Sequence, residues 1–129
     1  MNERYLFGTA VPILLDGGRV AGRVACRLYA RFGLSSHWFG PKGHLLLSIY
    51  ARKHPTLPFS EENDPVTLRL LKAFAREHGR AVGILALIPC SPEAVVFLAR
   101  VRHELENEFV LLDPPQEGQN PLQGLVQRS

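Results

Sequence analysis

Residues 10–33 read AVPILLDGGRVAGRVACRLYARFG, and this stretch decides the fold. Val11, Ile13, Leu14 and Leu15 form a short apolar run that stops at Asp16-Gly17-Gly18. A strand covered on both faces of a parallel sheet has this near-continuous apolar character. Past the glycines, Val20, Ala21, Val24, Ala25, Leu28 and Phe32 recur at helical spacing, and Gly33 supplies a C-cap. The unit is strand, glycine turn, helix. Arg19, Arg23, Arg27 and Arg31 repeat at i, i+4 on another stripe of the same helix.

Working outward, Ser35 to Phe39 fits a second strand, broken by Gly40-Pro41-Lys42-Gly43. His44 to Lys53 is apolar without a deciding period, so strand and helix both stay open there. His54 to Asn63 carries Pro55 and Pro58 and reads as an extended connection. Asp64-Pro65 supplies a capping side chain followed by proline at the first helical position, and Gly79 stops the helix so begun. Val82 to Ile88 is the second core strand. Ser91-Pro92-Glu93 repeats the cap-then-proline signal and opens a helix to about Glu108. Phe109 to Leu112 is a last short strand. Alternation of this kind implies an α/β fold: a three-layer, Rossmann-like parallel sheet of four to five strands with helices on both faces. Residues 1–115 form the single domain, and 116–129 read as a polar tail, a linker or a frayed end.

Composition bounds what such a domain does. A chain of 129 residues is about one domain, and 46% hydrophobic content is globular. No apolar run approaches the roughly 20 residues of a membrane span. The N-terminus MNERYLFGTA lacks the charged-then-apolar pattern of a signal peptide. Cys26 and Cys90 do not make a disulfide scaffold, so a reducing, cytoplasmic setting is expected. A net charge of +3, from 15 Lys and Arg against 12 Asp and Glu, is too small to argue for nucleic acid. The arginine stripe reads as a solvated helix face, because it lacks the interleaved aromatics that single-strand binding uses.

In open parallel sheets, ligands bind beyond the carboxyl ends of the strands, where strand order reverses. That crevice falls between Asp16, Gly17, Gly18 and Arg19 on one side and Pro89, Cys90 and Ser91 on the other. The glycine turn admits two readings: a tight turn with no ligand, or a seat for a phosphate or carboxylate at a helix N-terminus. Gly22 is expected to let the helix pack closely on the sheet. G-x-G-x-x-G does not fit, since Arg19 stands where the second glycine belongs. An NAD site needs an acidic residue at the end of the second strand, where this chain offers Ser35, Ser36, His37, Trp38 and then Lys42. NADP survives, with Ser36 or Lys42 on the 2′-phosphate. Cys90 precedes a helix N-terminus, which lowers a thiol pKa, yet no partner base can be named and a structural cysteine is the stronger reading. His37, His44, His54, His78 and His103 show no metal-ligand spacing, and His78 and His103 read as helix-surface residues. Glu61, Glu62 and Asp64 read as solvent and capping groups.

Three stretches together resemble the N-terminal (pre-ATP-grasp) domain of ATP-grasp carboxylate–amine ligases. They are PILLDGGRVAGRVACRLYARFGLSSHWFG, SIYARKHPTLPF and AVGILALIPCSPEAVVFLARVRHELENEFVLLDP, over residues 10 to 114. The resemblance implies a substrate-side domain, without catalytic residues of its own, that contributes its glycine turn and strand-end loops. Position by position that means Gly17, Gly18 and Arg19 with Cys90 and Ser91. ATP and magnesium are expected only with a grasp domain, in cis or in trans, and this chain carries no cofactor. The family often has an acidic residue in the second loop, where this chain has Pro89-Cys90-Ser91-Pro92. Two other classes stay open: a stand-alone nucleotide- or NADP-binding regulatory module, and a small dimeric interaction protein.

Overall fold

The computed structural model describes residues 9–78 and 83–128. Its elements are β1 (Ala10–Leu15), α1 (Gly18–Phe32), β2 (Ser36–Gly40), α2 (Leu45–Tyr50), β3 (Ala51–Pro55), a 3-10 turn (Glu61–Asn63), α3 (Asp64–His78), β4 (Ile84–Pro89), α4 (Pro92–Leu105), β5 (Val110–Leu111) and α5 (Gln123–Arg128). The five strands form one sheet in the order β3-β2-β1-β4-β5, with every pair parallel. Strand order reverses between β1 and β4, where Leu15 stands beside Pro89. The fold is α/β, three-layered and Rossmann-like.

Side chains on successive strand residues face opposite ways, so one apolar strand feeds two cores. Ile13 and Leu15 join Phe39, Leu85 and Leu87 beneath α3 and α4. Leu14 joins Trp38, Ala86 and Ile88 beneath α1, with Leu47 of α2. Ile13, Leu14 and Leu15 are each fully buried, worth about 1.5–3 kcal/mol apiece. That is why this short run is uninterrupted by polar residues: neither face is open to water.

Residues 44–53 resolve their ambiguity by being both things. Leu45–Tyr50 is helical, with the His44 ring accepting the Leu46 N–H at 3.3 Å as a cap, and Ala51 turns directly into β3. The extended connection therefore begins after Pro55, because His54 and Pro55 belong to the edge strand. Asp64 is not a cap. It is already helical, and its carboxylate receives both Nε and Nη2 of Arg100, at 2.6 and 2.9 Å. Ser91 does cap, accepting the Ala94 N–H at 3.1 Å, but α4 ends at Leu105, three residues short of the expected end. The stop expected at Gly79 and the strand start at Val82 lie outside the described residues. Nor is the tail frayed over its described part: Leu122 and Leu125 are buried in the α1-side core.

Candidate functional site

The carboxyl end of β1 is pinned from both neighbours. Asp16 N–H donates to Phe39 O at 2.8 Å, and Cys90 N–H donates to Leu15 O at 2.9 Å. The Trp38 indole N–H donates to Asp16 O at 3.0 Å. Held in this way, Asp16 adopts a left-handed φ of 60°, a conformation that Asp tolerates better than most residues. Its carboxylate Oδ2 accepts the Ser91 hydroxyl at 2.6 Å. One serine thus caps α4 and ties the two strand-end loops together across the switch point.

Gly17 follows at φ 53°, and a Cβ there would lie 1.9 Å from the Cys90 carbonyl oxygen. At Gly18 a Cβ would lie 2.7 Å from the Lys42 carbonyl oxygen. The close backbone approach that these glycines permit is therefore filled by the chain's own loops. Arg19 is exposed on the first turn of α1, where no side chain caps the helix. The structure brings Asp16 to Ser91 and Gly17 to Cys90, and leaves Arg19 facing solvent. Two sizeable hollows lie outside this crevice. One of about 440 Å³ runs along α1 between Val20, Arg23, Val24 and Arg27 and residues 115–117. Another of about 470 Å³ lies between Tyr29, Tyr50 and Arg52 at the far end of β2.

Several expectations change with the third dimension. The Cys90 thiol is only 6% exposed and points into the core. Burial, with a smaller push from Asp16, takes it up to about 12 against the lowering Leu15 backbone contact. What position 90 offers the crevice is its carbonyl. Ser36 starts β2 rather than ending it and is 1% exposed, so it lies at the wrong end of the sheet for a 2′-phosphate. Lys42 is at the correct end and exposed. Gly22 packs on α2, not on the sheet, since a Cβ would lie 2.9 Å from the Leu46 Cβ. In the arginine stripe, Arg27 Nη1 donates to Gln119 O at 3.3 Å, so the folded-back tail satisfies part of it.

Histidine is where spacing in sequence misled most. His103 is exposed as expected, but His78 stacks on Phe74, with ring centroids 4.1 Å apart. It also faces His37 of β2 at 5.4 Å, and His37 Nδ1 lies 3.0 Å from His54 Nε2. The three are separated by 17 and 24 residues, so no local motif could have found them. Among the described residues, no three His, Cys, Asp or Glu side chains are placed to hold a metal ion, and no helix is long and apolar enough to cross a membrane. The fold and site define an α/β protein with a doubly wound parallel sheet and a serine–aspartate bridge across its switch point. No protein-family model matches the chain, and no curated protein matches it either.

Proposed function

We propose that the chain is the substrate-side, N-terminal domain of an ATP-grasp carboxylate–amine ligase, binding a small carboxylate at the carboxyl ends of β1 and β4 and doing no ligation by itself. The observation that carries this reading is the Asp16–Ser91 hydrogen bond. It joins the two loops that the resemblance over residues 10 to 114 assigns to the substrate side. Beside them, the first turn of α1 offers N–H groups without a side-chain cap, the positive end of the helix dipole, and Arg19. ATP and magnesium belong in this reading to a partner grasp domain.

Titration with simple carboxylates, ATP and NADP, followed by backbone amide NMR, tests the reading. Carboxylates are expected to shift the amides of residues 16–19 and 90–91, and the pure chain should release no ADP from ATP. An NADP response centred on Lys42, with none to carboxylates, would instead favour a nucleotide-binding regulatory module. Silence to all three with a concentration-dependent dimer would favour an interaction protein. Measurable ADP release with an acid and an amine present would overturn the non-catalytic assignment.

A further inference from the structure

On the α3 face of the sheet, alongside β2, three elements meet through histidine. His37 comes from β2, His54 from the edge strand β3, and His78 from the last turn of α3. All three are half-buried. His37 Nδ1 and His54 Nε2 are 3.0 Å apart, a separation at which one nitrogen must carry a proton and the other a lone pair. The His54 ring stacks on Phe39 at 4.4 Å, and the edge of Phe74 meets both His37 and His54, at 4.7 and 5.6 Å. His78 Nδ1–H donates to Phe74 O at 3.0 Å, which holds its ring against His37. Among the described residues, ring contacts with this pair come only from β2, β3 and α3.

We propose that the His37–His54 pair, packed against His78, forms a proton-operated latch, which holds β3 and the end of α3 on the sheet while both rings of the pair are neutral and releases them when both charge. One proton can bridge the His37–His54 pair. A second would set two N–H groups against each other across 3.0 Å. The charged groups facing the pair are Arg52 on β3 and Glu77 and His78 on α3. Arg52 and a charged His78 oppose protonation, while Glu77 favours it on His54 alone. Tyr29 and Tyr50, from α1 and α2, line with His37 a hollow beside the pair.

Burial is the largest influence, and with the neighbouring histidines and Arg52 it takes His37 down to about 4. His54 is lowered for the same leading reason. A lowered histidine pKa means that the folded state binds fewer protons than the open one below about pH 6.5. Its contribution is therefore complete above 6.5 and is lost progressively as the pH falls toward 4. The release reaches the candidate site along the backbone. Thr56 N–H, just past β3, donates to Gly40 O at 2.9 Å, and the loop that follows Gly40 lays Lys42 O over Gly18.

Amide hydrogen exchange across β3, compared with β1 and β4 at pH 7.5 and pH 5, is the test. Protection in β3, corrected for the intrinsic rate, should fall about tenfold or more on acidification while β1 and β4 hold. The H37F/H54F double variant keeps aromatic rings against Phe39 and Phe74 and removes the titrating pair. Its β3 protection should change less than about twofold over the same interval. An equal loss in the variant, or a uniform loss across all strands, overturns the latch. Should the variant fail to fold, the wild-type histidine ring resonances decide the question. His37 titrating near 6.5 overturns the proposal, and titration well below it, together with the selective β3 loss, sustains it.

Discussion

At the scale of single residues, two glycines that look alike in sequence do different work. Gly33 caps α1 at φ 67° with open space where a Cβ would go. Gly17 combines φ 53° with the Cys90 carbonyl 1.9 Å from a Cβ. Gly33→Ala is therefore expected to cost about 1 kcal/mol, the left-handed strain alone. Gly17→Ala should cost at least about 3 kcal/mol, because strand β4 must also move. Paired urea unfolding curves check the difference, and equal losses would contradict the steric argument. Cys90 carries a second prediction. Its buried thiol, held up at about 12, should resist an alkylating reagent at pH 8 in the folded protein and react on unfolding. Mass spectrometry of the labelled peptide reads this directly, and native labelling of Cys90 would show that the loop opens.

Among the elements, α5 is the one whose role depends most on what lies far from it in the chain. Its flanking stretch, QEGQNPLQGLVQRS, is polar enough to read as solvent-exposed chain. Yet Leu122 is fully buried and shares a core with Leu14, Leu28 and Trp38. Leu122→Ala is expected to destabilise the fold by about 2–5 kcal/mol, the range for emptying a packed leucine site. Thermal or urea denaturation checks it, and a loss below about 0.5 kcal/mol would mean that the tail is dispensable. The strands were easier to read. β1 and β4 are central, covered on both faces, and so carry unbroken apolar runs in sequence. β3 is an edge strand with Arg52 and Lys53 exposed, and its composition hides it beside the equally short α2.

For the whole molecule, the histidine cluster makes stability depend on pH. His37 prefers its neutral form when folded and an ordinary histidine is neutral only above about 6.5, so the unfolded chain takes up more protons in mild acid. Stability should be level from pH 8 to 7 and then decline toward pH 4. Solvent screens part of the effect at this half-buried ring, and about 1–2 kcal/mol is expected. Urea midpoints at pH 7.5 and 5 measure it. A stability maximum at or below pH 5 would contradict the assignment of His37 and His54 as half-buried neutral partners.

Hydrophobic periodicity, the glycine turn and the cap-then-proline signal at Ser91 are local features, and they determined α1, α3 and α4, the central strands and the α/β class, but neither α2 nor α5. They also placed Asp16 and Ser91 at facing strand ends, because a parallel alternation leaves little choice about where the loops meet. The rest depended on partners distant in sequence. Only the folded chain decided that Asp64 pairs with Arg100 instead of capping, that Cys90 turns inward, and that Gly17 and Gly18 make room for backbone. The gathering of His37, His54 and His78 belongs to the same class. Burial and contact between remote side chains arise from strand order, and strand order is not a property of any local window of sequence.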